Sequence, residues 1–348
     1  MEKLKTLNPK ILAIVLIFFV TFVLILFLSL FIGPKNKNGG QVTLNTPTPA
    51  PIQIPEDELI PTPIIQNPVS ALTNRLGLVS FSVINITLPK KMNVYGGSPT
   101  PIEKSTGTNI AQKLGITTQG KITSTTNGDA LSFQDKGKNL IFYLSAGNTQ
   151  FFNGNATTDK TTGQSLDILS NTARGFMNLF SPISDGLVLD NKNIAFMVGG
   201  GDVESVPTFE EATTLDVPFI ATIDSYPLYS QFGSNAQGHV WIDKNGQVLR
   251  VTLNTKQTLT ASKTVEIFTL EQAKKQIING SGTIVKYGGD EDVNLPTPTS
   301  TLFTGVNVGY IKDDTSKIIY PIFVFEGVAT TNNSTYPIVV YLPAYIGN

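Results

Sequence analysis

FTGVNVGYIKDDTSKIIYPIFVFEGV, residues 303–328, sets two apolar, β-branched and aromatic runs on either side of a short polar stretch. Val, Ile, Tyr and Phe favour a pleated, half-buried strand, and Asp favours the turn, so the spacing predicts a hairpin turning near Lys312-Asp313-Asp314. YPIVVYLPAYI (336–346) supplies a further strand. Earlier in the chain, LVSFSVINITL (78–88) alternates, with Val79, Phe81, Val83 and Asn85 on one face. ALSFQDKGKNLIFYLSAGNTQFFN (130–153) reads as two or three strands, broken at Lys136-Gly137-Lys138 and Ala146-Gly147-Asn148.

Helical periods are fewer. GTNIAQKLGI (107–116) reads as a short helix that Thr108 or Asn109 would cap and Gly115 would end. SLDILSNTARGFMNLF (165–180) places Leu166, Leu169, Ala173, Phe176, Met177 and Phe180 at helical spacing before Ser181-Pro182 stops it. In EIFTLEQAKKQII (266–278), Thr269 and Gln272 form a capping-box pattern, and Ala273, Ile277 and Ile278 are expected to face the core. Hairpins outnumber crossovers, and a sequence of strand, short helix, glycine and hairpin occurs twice. The expected class is therefore α+β: an N-terminal transmembrane helix, a Pro-rich tether, then antiparallel sheets each packed by one or two helices. The folded part is expected as two related subdomains, 77–202 and 203–348, meeting at the loop with Gly199-Gly200-Gly201.

The N-terminal region decides the expected location. Residues 11–32, ILAIVLIFFVTFVLILFLSLFI, carry no charge, and as a helix they span roughly 33 Å, about one hydrocarbon core. No small-residue cleavage site follows, so this reads as an uncleaved single-pass anchor. Lys3, Lys5 and Lys10 precede it and Lys35 and Lys37 follow it. That bias makes residues 1–10 a cytoplasmic stub and puts the rest outside the cell membrane. Residues 33–76 form a flexible linker in which Pro47, Pro49, Pro51, Pro55, Pro61, Pro63 and Pro68 favour extended polyproline II.

Composition narrows the chemistry. Charged residues are 15% of the chain, against about 25% in ordinary soluble domains, and the net charge is −1, so no broad basic field exists to attract nucleic acid. Cysteine is absent and histidine occurs once. Thiol nucleophiles, His-rich metal sites and Ser-His-Asp triads thereby lose most of their material, and no cofactor motif appears. The acidic groups Glu210-Glu211, Asp290-Glu291-Asp292 and Asp313-Asp314 are what a carboxylate-dependent hydrolase would draw on. Residues 290–292 also offer hard oxygen ligands for a cation such as Ca²⁺.

HVWIDKNGQVLRVTL (239–253) holds the single histidine and the single tryptophan. Asn245-Gly246 predicts a two-residue type I′ turn. In that register Ile242 opposes Leu249 and Val240 opposes Val251 on an apolar face. Trp241 then faces Arg250 as a cation–π pair, and His239 faces Thr252. Nothing nearby in sequence gives His239 a nucleophile or a second metal ligand. Trp241, Arg250 and His239 are thus expected as a protein-contact surface, since Trp and Arg are enriched at binding hot spots.

Two stretches carry a family likeness. EIFTLEQAKKQIINGSGTIVKY runs strand, helix, glycine, strand, and VNVGYIKDDTSKIIYPIFVFEG runs Gly-Tyr strand, acidic turn, Pro-aromatic strand. With GHVWIDKNGQVLRVTLN between IDSYPLYS and that helix, the order resembles the extracytoplasmic domains of the YycH/YycI regulators, over roughly residues 205–328 and more loosely 78–155. The helix-plus-hairpin unit is similar to PepSY-type modules. The resemblance implies a non-enzymatic regulator that restrains a membrane histidine kinase, with no catalytic residue to transfer. The expected function is therefore a membrane-tethered extracytoplasmic binding or regulatory protein of the bacterial cell envelope. A cell-wall hydrolase and a structural component of an envelope assembly are the alternatives.

Overall fold

The computed structural model describes residue 65 and residues 76–345, apart from 127, 156–162, 200–203, 232–234, 255, 289–294, 314–315 and 333. The expected stub, the membrane span at 11–32, all of the linker except residues 65 and 76, and the acidic loop 290–292 lie outside the described residues. The chain divides into two compact units, Met1–Pro47 and Thr48–Asn348, and the described residues all belong to the second. Among the described residues no helix is long and apolar enough to cross a membrane.

The expected hairpin forms the centre. β16 (Ser300–Asp313) pairs antiparallel with β17 (Ile318–Thr330), from Ser300↔Thr330 to Asp313↔Ile318, with one irregularity between Phe303 and Gly305. At the turn Asp313 accepts from Ser316 through Oγ (2.9 Å), and the Lys317 N–H bonds back to the Asp313 carbonyl (2.8 Å). Every residue from Ile318 to Phe325 is buried. Alternate side chains enter two different cores, because successive residues of a strand point to opposite faces. Ile319, Phe323 and Phe325 join Phe303, Val308 and Tyr310. Ile318, Tyr320, Ile322 and Val324 join Val94, Ile311 and Tyr341.

Strands gather on both sides of this pair. β18 (Thr335–Pro343) runs antiparallel along β17, and β15 (Thr283–Tyr287) pairs with β18. Where β18 ends, β2 (Lys91–Pro99) takes over through Ile318↔Gly96 and Ile319↔Tyr95, and β14 (Gln257–Glu266) pairs with β2. The other edge of β16 carries two parallel partners. β1 (Leu78–Phe81) lies along residues 300–303, and β11 (Tyr226–Tyr229) along residues 310–311. The approach of β11 needs Gly309, since a Cβ there would sit 2.5 Å from the Pro227 carbonyl oxygen. Helix α3 (Leu270–Ile278) buries Ala273 and Ile277 against the first core, and its Thr269–Gln272 capping box is formed as expected. Ile278, expected in the core too, is exposed, because it sits one residue, about 100°, round the helix from Ile277.

β10 (Thr214–Ile223) turns at Asp224-Ser225 into β11 and so joins this assembly to the remaining strands. From β10 the neighbours run antiparallel through β12 (Ala236–Asp243), β13 (Val248–Leu253), β6 (Thr149–Asn153), β5 (Lys138–Tyr143), β4 (Gly128–Asp135) and β3 (Lys121–Thr125). β7 (Leu187–Leu189) and β8 (Ala195–Val198) lie on the far edge of β10, and β9 (Glu204–Ser205) pairs with β8. Helices α1 (Lys104–Lys113) and α2 (Leu166–Met177) cover one face, burying Ile110, Leu169 and Ala173 against Leu131, Phe142, Val217, Val240 and Val251.

The expected α+β class is corrected. Among the described residues the fold is mostly strand: eighteen strands join in one connected mixed sheet, with three α-helices. The two related antiparallel subdomains give way to it for two reasons. The parallel pairs on β16 join segments more than 200 residues apart in the case of β1 and residue 300 onward, which no local pattern announces. The helix-covered core also takes residues from both sides of 202, from Ile102 to Leu253. Local expectations moved as well. LVSFSVINITL pairs as a strand only over 78–81, although the Ser82 N–H still bonds to the Phe303 carbonyl (2.9 Å). Helix α1 begins at Lys104 rather than near Thr108, whose hydroxyl bonds back to the Lys104 carbonyl (2.9 Å) inside the helix.

Phe323→Ala should lower the unfolding free energy by about 3–5 kcal/mol, the usual cost of deleting a fully buried aromatic ring. Denaturant unfolding checks this, with exposed Leu302→Ala as the near-neutral control. A Phe323→Ala loss below about 1 kcal/mol would remove β17 from the centre of the core.

Candidate functional site

The Trp241 hairpin holds most of its expected register. His239↔Thr252, Val240↔Val251 and Trp241↔Arg250 pair as the sequence implies. Beyond Trp241 the register shifts, and Ile242 opposes Val248 instead of Leu249. A type I′ turn needs two positive-φ residues, and only Gly246 (φ 86) supplies one. Asp243 makes a longer turn instead. Its Oδ1 accepts from the backbone N–H of Asn245 (2.9 Å) and of Gln247 (2.7 Å), while its own N–H bonds to the Gln247 carbonyl (3.0 Å). Asp243 is fully buried, and its Oδ2 has no partner among the described residues. The extra residue, Leu249, lines a groove instead of meeting Ile242.

That groove lies on the face of the sheet opposite α1 and α2. The inner face of β12 and β13 is Val240, Ile242, Val251 and Leu253, all buried in the helix-covered core. The outer face presents Trp241 and Arg250, then Phe152 of β6, which pairs with Arg250, then Asn139 of β5, which pairs with Phe152. Together with Gln150, Ile141 and Leu249 these line a groove of ≈ 410 Å³. Phe152 is 52% exposed, unusual for a phenyl ring. The Arg250 guanidinium stands 5.3 Å from the Trp241 ring centroid, a contact worth about 0.5–1 kcal/mol on an exposed face.

His239 has a partner that its own neighbourhood in sequence does not reveal. Its Nδ1 lies 3.0 Å from both carboxylate oxygens of Asp216 on β10. Asp216 is directly opposite Trp241 across the β10–β12 pair, 23 residues from His239. The structure thus brings Trp241, Arg250 and His239 onto one face, as expected, and adds Asp216, Phe152 and Leu249. Alternation in TQFFN (149–153) is the only sequence signal that pointed at Phe152, and it did not say which face is open.

A second polar cluster pins β10–β11 to the central strands. Asp224 (φ 51) and Ser225 (φ 70) form the connecting turn in the left-handed region. One Asp224 oxygen accepts from Tyr95 Oη (2.5 Å) and from Tyr310 Oη (3.1 Å), while Asn93 donates to Tyr95 Oη (3.1 Å). Burial, and then the Asp224 hydrogen bond, raise the Tyr95 hydroxyl above its ordinary pKa. Burial and then the Asp224 charge push Tyr310 far up. Burial also raises Tyr229, Tyr341 and Tyr345.

The acidic groups named from sequence do not converge on the groove. Glu210 and Glu211 are exposed in a turn. Asp313 is buried at the β16 end and bonded to Ser316. Residues 290–292 and 314 lie outside the described residues. Desolvation raises the Glu326 carboxyl, but its cross-strand neighbours are Gly305 and Val339, neither an acid. Among the described residues no group of three or more His, Asp or Glu side chains could hold a metal ion.

No family model matches the sequence, and no curated protein matches it. Among solved structures, a chain of the Pseudomonas aeruginosa MucA/MucB complex is similar at 11% identity and a TM-score of 0.12, covering 72% of this chain and 87% of that one. A score that low carries no argument about fold or function.

Asp243→Ala should destabilise the protein by about 1–3 kcal/mol, because two partly buried N–H groups lose a charged acceptor, and Asp243→Asn should cost less. Equal losses for the two variants in denaturant unfolding would remove the turn hydrogen bonds as the cause. The tyrosines give a pH prediction. They ionise at about pH 10 in an unfolded chain and later in the folded one. Stability is therefore unaffected below about pH 10 and falls as pH rises beyond it. Alkaline titration should show a late tyrosinate step coincident with loss of near-ultraviolet dichroism. Full ionisation with the dichroism intact would contradict this.

Proposed function

We propose that this protein is a non-enzymatic, membrane-tethered binding or regulatory protein on the outer side of a bacterial cell membrane. Residues 11–32 act as the anchor and the open sheet face around Trp241 as the contact surface. The observation that carries the reading is this face: a tryptophan, an arginine and a half-exposed phenylalanine held side by side on three adjacent strands of a rigid sheet. Those residue types supply most binding energy at protein interfaces, and here they spend surface that a merely soluble domain would fill with small polar groups.

The uncharged run at 11–32 and the Pro-rich linker support attachment to the bilayer with the folded part held away from it. The resemblance of residues 205–328 to the YycH/YycI regulators supports a membrane partner such as a sensor histidine kinase.

Photo-crosslinking of the full anchored chain in its native membrane, through probes placed beside residue 241, tests this. The expected result is one membrane-protein adduct that Trp241→Ala weakens about tenfold or more and Lys275→Ala leaves unchanged. An adduct indifferent to Trp241→Ala, or recovery of the full chain in the aqueous fraction, would overturn the reading.

A further inference from the structure

The geometry points to an extended acidic peptide segment of a partner protein as the occupant of the Trp241 groove, one in which a carboxylate side chain is flanked two residues away on either side by aliphatic ones. This rests on the binding reading of that face and names its ligand chemistry.

Charge is the first argument. Arg250 is exposed and forms no ion pair among the described residues. Its guanidinium lies over the Trp241 ring, which orients it without neutralising it. The carboxylate on this face, Asp216, is already engaged by His239 and is separated from Arg250 by the width of the Trp241 strand. A planar guanidinium with two free edges in a groove is built to take a carboxylate.

Shape and lining supply the second. The groove crosses β12, β13, β6 and β5. Three strand spacings are about 14 Å, which an extended chain covers with about four residues. Side chains two apart in such a chain point the same way. One carboxylate can then reach Arg250 while aliphatic side chains two residues to either side of it reach Leu249, Ile141 and Phe152. Asn139 and Gln150 offer amide donors and acceptors to the peptide backbone. A sugar would use the Trp241 ring and the amides without needing Leu249 and Ile141, so the aliphatic part of the lining is what favours a peptide over a glycan.

Trp241 is the single tryptophan of the chain, so its intrinsic fluorescence reports on this groove alone. The experiment uses the full chain in detergent micelles. It is titrated with acetyl-Leu-Ser-Glu-Ser-Val-amide and, separately, with the same peptide carrying Gln for Glu. The acidic peptide should shift the emission and bind about fivefold tighter than its amide twin, a preference that added salt weakens. Arg250→Gln should abolish the preference while leaving the amide peptide's weaker binding in place. Equal binding of the two peptides, no shift with either, or a shift only with oligogalacturonate would each overturn the proposal. Equal peptide binding or an oligogalacturonate shift would leave the face a binding surface for another ligand. Failure of the crosslinking experiment as well would remove the binding reading itself.

Discussion

The structure depends on one strand that is buried on both sides. From Ile318 to Phe325 no residue of β17 reaches solvent, so its two faces must each be roofed by other parts of the chain. One face shares a core with Ala273 and Ile277 of helix α3, and the other with residues as far apart as Val94 and Tyr345. A central strand of this kind cannot be satisfied by its hairpin partner alone. It draws in distant segments, because an apolar face left open costs about 25 cal/mol for each Å² of exposed surface.

That demand explains the mixed character of the sheet. β16 protects one edge of β17 and then needs protection itself. β1 and β11 arrive in parallel orientation along its free edge. The β10–β11 turn that delivers β11 is held by Asp224, which gathers Tyr95 from β2 and Tyr310 from β16 on one oxygen. Through β10 the hydrogen-bonded network continues into the strands that carry Trp241. The open Trp241 face is therefore mounted on an element whose position the central core fixes. Rigid mounting of this kind lowers the entropy lost when side chains engage a partner.

The face itself arises from an asymmetry. Two helices cover one side of β12, β13, β6 and β5 and leave the other open. The bulge after Trp241 deepens that open side by turning Leu249 out of the hairpin's expected apolar pair. A two-residue turn would have kept Leu249 inward and left the face flatter. The groove is thus traceable to Asp243, whose carboxylate organises the longer turn.

Much of this was legible in residues alone. The 303–328 hairpin, the three helices, the Thr269 capping box and the Trp241–Arg250 pair all rest on contacts between neighbours in the chain or across a short turn, where spacing dictates geometry. The apolar run at 11–32, the missing cysteine and the low charge are likewise properties of sequence. What tertiary structure decided is every pairing made across long separations. It placed β1 and β11 on β16, joined the expected subdomains into one sheet, put Asp216 beside His239 and left Phe152 bare. The reason is that a strand's own pattern specifies which side chains share a face but not which distant strand will lie along its edge. Edge pairing is a competition among all strands for the same backbone donors and acceptors, and only the packed whole resolves it.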